Sequence, residues 1–135
     1  MHAMTRVGFI GLGAMGASMA GHLHGKNLLA VVGNRSFAKA EAMAAQLGVR
    51  VARTDADFAE CDAVVLCVSM DADVMQCVRG LATVLRRGSV IIDHSTVARS
   101  TAVEAACVLE EYGIGFLDAP VSGGVEGARN GKLSV

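Results

Sequence analysis

Val7-Gly8-Phe9-Ile10-Gly11-Leu12-Gly13-Ala14-Met15-Gly16 is the stretch on which the reading of the whole chain turns. Its first four residues form a short apolar run, the pattern of a strand covered on both faces. Three glycines spaced G-x-G-x-x-G follow at once, and a helical stretch, Met15 to His24, follows them. Bare, that glycine pattern is a weak signal. Between a strand and a helix, inside a unit of about thirty residues, it reads as a turn that binds the phosphates of a dinucleotide. Gly11 permits the tight turn, Gly13 lets backbone approach a pyrophosphate, and Gly16 lets helix and strand pack closely. Leu12, Ala14 and Met15 complete the turn, and the free N–H groups at the helix N-terminus favour negative charge.

Outward from this unit, short apolar runs alternate with longer helical stretches. Strands are expected at Leu28 to Val32, Val49 to Val51, Ala63 to Cys67, Val90 to Ile92 and Gly115 to Leu117. Helices are expected at Phe37 to Leu47, Asp71 to Leu85 and Ala98 to Tyr112. The last carries Thr101, Ala105, Val108, Leu109 and Tyr112 on one stripe. Gly48, Gly88 and Gly113 mark helix–strand joins as left-handed caps, and Ser36, Asp71 and Ser95 stand where N-caps belong. Residues 54–60 are a helical turn or a loop. Crossovers of this length imply a right-handed β-α-β succession: an α/β, Rossmann-type, doubly wound, mostly parallel sheet with helices on both faces. A single nucleotide-binding domain over residues 1–135 is expected, and Lys132 to Val135 reads like the opening of another strand, as in a piece of a longer protein.

The bulk properties agree. Hydrophobic residues make up 53% of the 135, and mean hydropathy is +0.46, enough apolar surface to offset ordering entropy. Twelve basic and thirteen acidic residues leave a net charge of -1, with no basic stripe for nucleic acid and no patch for a membrane. Cys61, Cys67, Cys77 and Cys107 form no Cys-x-x-Cys pair, so buried thiols in a reducing, cytoplasmic setting are expected, with neither metal nor disulfide. Residues 1–6 run straight into the first strand and do not read as a removable leader.

The cofactor's ribose is met at the end of the second strand. An NAD-preferring domain usually places an acid there. Here Asn34-Arg35-Ser36 and then Lys39 offer an amide, a guanidinium, a hydroxyl and an ammonium, and no carboxylate. Charge-assisted bonds of that kind suit a 2′-phosphate, so NADP is the expected cofactor, with NAD possible if Arg35 and Lys39 are only a solvated face.

In doubly wound sheets ligands lie outside the carboxyl ends of the strands. Cys67-Val68-Ser69-Met70 leaves the fourth strand, Asp93-His94-Ser95-Thr96 the fifth, and Asp118-Ala119-Pro120-Val121-Ser122-Gly123-Gly124 the sixth. Ser122, Gly123 and Gly124 present a hydroxyl and two unobstructed N–H groups, an arrangement suited to a carboxylate or phosphate. His94 is expected to be a packed or capping histidine, and Asp93 and Asp118 to be structural acids that accept backbone N–H bonds.

The glycine turn, together with Asp118-Ala119-Pro120-Val121-Ser122-Gly123-Gly124-Val125-Glu126-Gly127-Ala128-Arg129-Asn130-Gly131, resembles the β-hydroxyacid dehydrogenases, which include 3-hydroxyisobutyrate, tartronate semialdehyde and 6-phosphogluconate enzymes. The resemblance covers nearly the whole chain. It implies that Ser122, Gly123 and Gly124 grip a substrate carboxylate, that Thr96 lies beside the nicotinamide ring, and that Val68, Ser69 and Val74 line the cofactor groove. The run Asn34-Arg35-Ser36 looks like that of NADP-using members. Ser18 stands where many members carry proline, and Ser95-Thr96-Val97-Ala98 lacks a proline often found after the threonine.

In that family the proton-transferring lysine, with an asparagine one turn along, lies on a helix beyond the Rossmann domain. Residues 1–135 are therefore expected to hold no catalytic residue, to lack a helical substrate and dimer domain, and to turn over slowly or not at all. The function so implied is the NADP-binding part of an oxidoreductase acting on a small hydroxyacid, a small carboxylate-bearing substrate, with self-association possible through uncovered apolar surface. A non-catalytic dinucleotide-sensing module is the alternative, against which the Ser122-Gly123-Gly124 loop argues. A pyrroline-carboxylate-type reductase shares the glycine turn but not the second motif.

Overall fold

A computed structural model describes residues 5–135, so the reading of residues 1–4 lies outside the described residues. The strands are β1 (Val7–Ile10), β2 (Leu29–Gly33), β3 (Arg50–Val51), β4 (Ala63–Leu66), β5 (Val90–Asp93) and β6 (Gly115–Asp118). They form one sheet in the order β3-β2-β1-β4-β5-β6, and every neighbouring pair is parallel. The helices are α1 (Ala14–Gly25), α2 (Phe37–Leu47), α3 (Asp71–Ala82), α4 (Arg99–Glu110) and α5 (Gly124–Arg129). This is the expected doubly wound α/β architecture.

Successive side chains of a strand point to opposite faces, and the core divides accordingly. Val31, Val64, Leu66 and Ile91 pack with Val74, Val78 and Leu81 of α3 and with Ala105 and Leu109 of α4. Val32, Val65 and Phe9 pack on the other face with Ala20 of α1 and Ala40 and Ala44 of α2. The near-continuous apolar runs of β1, β2 and β4 follow from this double cover.

The ambiguous stretch after β3 is a 3-10 turn, Asp55–Phe58, closed by a capping box between Thr54 and Asp57. The Asp57 carboxylate accepts the N–H groups of Arg53 (2.7 Å) and Thr54 (3.1 Å), which hold its pKa below the usual value. The turn plants Phe58 over Gly8 and Gly33, where a Cβ would come within 2.5 and 3.0 Å of the ring. Glycine in these two strands makes room for an aromatic plug.

Several sequence readings need correction. Leu85 lies beyond α3, which closes at Ala82 with the tightened bond from Val84 N–H to Leu81. Tyr112 lies past the end of α4 and is exposed, so it leaves the expected stripe. Asp71 is the first residue of α3 rather than its cap, and Ala98, not Ser95, stands at the cap of α4. The two facts are connected: Asp71 Oδ2 accepts the Ala98 N–H at 3.0 Å and the Thr101 hydroxyl at 2.6 Å, so the acid that opens α3 caps its neighbour. Gly48, Gly88 and Gly113 do take left-handed backbone.

Helix α5 was not foreseen. It is short and carries glycine at Gly124 and Gly127, both unfavourable to an isolated helix. It forms because it packs on α1, where His22 Nε2–H donates to the carbonyls of Ala128 (2.8 Å) and Arg129 (3.1 Å) at its end. None of the described helices is long and apolar enough to cross a membrane.

Candidate functional site

Strand order reverses between β1 and β4, and the chain leaves the two strands in opposite directions across the sheet. The crevice this creates at their carboxyl ends is where α/β sheets hold ligands. Hydrogen bonds carry the ladder past the strand ends. Gly11 N–H donates to Gly33 O at 3.0 Å, Cys67 N–H to Ile10 O at 2.9 Å, and His94 N–H to Leu66 O at 2.9 Å. The exit segments are thereby held side by side.

The glycine turn sits at the head of α1. Gly11 has φ 105° and lies against the Cys67 carbonyl, so no side chain fits there. Gly16 is equally closed, because a Cβ would collide with the Gly11 carbonyl. Gly13 is different: nothing lies within 4 Å of a Cβ placed on it. No side chain caps α1 and no acid stands in its first turn. Leu12 and Gly16 are buried, whereas Gly13 and Ala14 are exposed and Met15 is partly so.

A cleft of about 720 Å³ opens beside this turn. It brings together Gly11, Gly13, Asn34, Arg35, Ser36, Lys39, Val68 and Ser69, residues singled out from three separate stretches of sequence. Asn34 is the hinge of the group. Its Oδ1 accepts the Leu12 N–H at 2.8 Å and its Nδ2 donates to Ser36 O at 3.2 Å. Arg53, stacked over Phe37 at 4.9 Å, adds a further cation to the wall.

The cleft also holds two acids that the sequence reading missed. Asp55 follows β3 and Asp73 lies in the first turn of α3, and Asp73 pairs directly with Arg35. The carboxylate-free ribose end expected from Asn34-Arg35-Ser36 is therefore corrected: α3 supplies one, 38 residues along the chain. The signal was present in principle, since the exit of β4 had been placed at the crevice and Asp73 follows it by one helical turn. Cys77 lines the same wall. Burial, helped by Asp55 and Asp73, pushes its thiol up to about 11, so it is a neutral lining group.

Nine expected site residues do not line the cleft: Leu12, Ala14, Met15 and Gly16 of the glycine turn, and five others. Val74 is fully buried among core residues of α3 and supports the wall from behind. Thr96 is exposed beyond β5, outside the cleft lining. Ser122, Gly123 and Gly124 are exposed at the head of α5, where Ser122 pairs with Ser134 through N–H···O bonds of 2.8 and 2.9 Å.

A polar chain runs behind these segments. Val68 N–H donates to Ser95 Oγ at 2.8 Å, and Ser95 N–H donates to Asp93 Oδ1 at 2.9 Å. Asp93 is fully buried and its Oδ2 has no partner; burial raises its pKa above the usual carboxylate value. His94 Nδ1–H donates to Ala119 O at 2.7 Å, tying the β5 exit to the β6 exit. As read from sequence, Asp93 takes a backbone N–H and His94 is a packed, bonding residue. Asp118 is exposed.

Sheet order, glycine turn and cleft together define a Rossmann-type dinucleotide-binding domain. Residues 6–135 match the family model described as the NAD binding domain of 6-phosphogluconate dehydrogenase. The chain belongs to that family. It is 43% identical over 136 residues to an uncharacterized oxidoreductase of Shewanella frigidimarina, covering 98% of this chain and 47% of the relative. The solved structure of Mycobacterium tuberculosis 3-hydroxyisobutyrate dehydrogenase with L-serine superposes with a TM-score of 0.90 at 35% identity, over 97% of this chain and 45% of that one. Psf3 in complex with NADP+ and 2-OPP gives a TM-score of 0.84 at 32% identity, over 94% and 46%. The chain thus spans about half the length of the curated relatives it matches.

Proposed function

We propose that this chain is the cofactor-binding half of an NADP-dependent oxidoreductase that interconverts a small 3-hydroxyacid and its aldehyde or keto acid. The observation that carries the reading is the head of α1. A helix of twelve residues presents N–H groups that no side chain caps, with no acid in its own first turn, beside a glycine whose missing Cβ opens onto free space. Those features fit a pyrophosphate. At the ribose end Arg35, Ser36 and Lys39 fit a 2′-phosphate, and the complex of Psf3 with NADP+ supports the same choice.

When bound, the nicotinamide supplies or accepts the hydride. The chain's own residues then have separable tasks. Gly13, Ala14 and Met15 hold the pyrophosphate through backbone N–H groups, while Val68 and Ser69 wall the groove. Thr96, at the exit of β5, would lie beside the nicotinamide ring. Ser122, Gly123 and Gly124 take the substrate carboxylate, on a loop fixed from one side by Ser134 and from the other by the bond between His94 and Ala119. L-serine, named with the M. tuberculosis enzyme, is itself a 3-hydroxyacid with a carboxylate to be gripped. The lysine that moves the hydroxyl proton, the helical second domain and contacts between copies belong to protein beyond these residues. All four cysteines are free thiols, which supports work in the reducing cytoplasm.

Calorimetric titration with NADPH and NADH tests the cofactor assignment. NADPH binds more tightly, and Arg35→Ala weakens NADPH by about tenfold or more while leaving NADH nearly unchanged, as expected for loss of a charge-assisted bond. Equal affinities for the two cofactors would contradict it.

A further inference from the structure

Arg35 and Asp73 meet across the mouth of the cleft, one from the exit of β2 and the other from the first turn of α3. The pair is unequal. The Arg35 side chain is 79% exposed and the Asp73 side chain 18%, so the carboxylate is the fixed partner and the guanidinium the movable one. The other charged groups facing this space are Lys39 from α2 and Arg53 and Asp55 from the segment after β3. Asp55 is turned aside: its carboxylate lies against Gly80 of α3, where a Cβ would collide with it. Arg53 is occupied by the Phe37 ring, and Lys39 makes no ion pair among the described residues. Among the described residues, Asp73 is the carboxylate that contacts the guanidinium placed to meet a 2′-phosphate.

A carboxylate in that position acts on the two cofactors in opposite ways. Toward a 2′-phosphate it is a like charge, and it already engages the cation the phosphate needs. Toward a 2′-hydroxyl it is an acceptor, the same service an acid at the end of β2 gives in NAD-preferring domains. We propose that Asp73 is the specificity-determining residue of this cleft, an acid supplied from α3 that restrains Arg35 and holds the preference for NADPH below what Arg35 and Lys39 alone would impose. The inference rests on the cofactor reading given above, in which Arg35 meets the 2′-phosphate.

The test compares NADPH and NADH affinities, at one low salt concentration, for the chain and for Asp73→Asn, Asp73→Glu and Arg35→Ala. Asn keeps the size and one acceptor oxygen but not the charge. With Asp73→Asn, NADPH tightens about fivefold and NADH holds or weakens, so the affinity ratio rises, as expected for relief of a partly screened charge interaction. Asp73→Glu retains the charge and keeps the ratio within about twofold of the parent. A ratio that rises as much with Glu as with Asn would assign the effect to packing and overturn the proposal. So would an unchanged or lower ratio with Asn; if Arg35→Ala still weakens NADPH in that case, the cofactor reading stands without the role of Asp73. Should Arg35→Ala leave NADPH binding untouched, the cofactor reading falls and takes the proposal with it.

Discussion

The N–H of Leu12, inside the glycine turn, donates to the side-chain oxygen of Asn34 at the end of β2, at 2.8 Å. One amide therefore joins the part of the cleft that meets phosphates to the part that meets the ribose. Asn34→Ala leaves the Leu12 N–H without its acceptor and costs about 1–3 kcal/mol of stability, read by denaturant unfolding. Asn34→Asp keeps the acceptor but adds a negative charge. It is expected to stay folded and to lose NADPH affinity selectively; an NADPH-to-NADH ratio unmoved by the new charge would count against the ribose assignment.

The two later glycines of the turn separate fold from function. Gly16→Ala forces a methyl into the Gly11 carbonyl, so α1 must shift off β1 at a cost of about 1–3 kcal/mol. Gly13→Ala meets no protein atom within 4 Å, and stability should change by no more than about 1 kcal/mol. Its methyl points into the space assigned to the pyrophosphate, and cofactor affinity should fall by about tenfold or more. Thermal melts and cofactor titration on the same two variants check both halves. Unchanged binding by Gly13→Ala would move the pyrophosphate elsewhere.

Asp71 holds α4 from the first residue of α3. Its bonds from the Thr101 hydroxyl and then the Ala98 N–H draw its pKa below 3.8. The unfolded chain holds the proton more tightly, so this contribution is present above about pH 4 and fades as pH falls through the folded value. Asp71→Ala should lower the melting temperature at neutral pH, with the deficit shrinking in acid. A deficit equally large at every pH would show that the capping charge is not its source.

Asp93 has the opposite sign. Burial raises its folded pKa above 3.8, so the folded chain holds the proton more tightly. Its penalty is absent below about pH 4 and grows as pH rises through the folded value. Asp93→Asn keeps an oxygen for the Ser95 N–H and removes the buried charge. It should gain stability at neutral pH and nothing in acid, measured by thermal unfolding across that range. A loss of stability at neutral pH would mean that the ionised form is the one the fold requires.

What could be seen in the sequence was local. The glycine turn declared itself because strand, turn and helix are contiguous, and α2 was placed from Phe37 to Leu47 because Ser36 and Gly48 mark its ends. Short-range chemistry says which residue types cap helices but not which helix they cap, so Asp71 and Ser95 were placed at the right crevice with the wrong partners. Val74 could have been recognised as core, since Val74, Val78 and Leu81 fall on one helical stripe. No local pattern announces α5, which depends on α1 and His22, or the meeting of Arg35 with Asp73 across 38 residues. Those contacts belong to the tertiary fold.

The central claim is that a dinucleotide lies from the head of α1 to the exit of β2. Amide shifts of the isotope-labelled chain, followed as NADP+ is added, test it most directly. The account predicts saturating shifts concentrated at residues 11–16 and 34–39, with the amino ends of the strands, opposite the cleft, undisturbed. Saturating shifts centred elsewhere, or none at all, would contradict it.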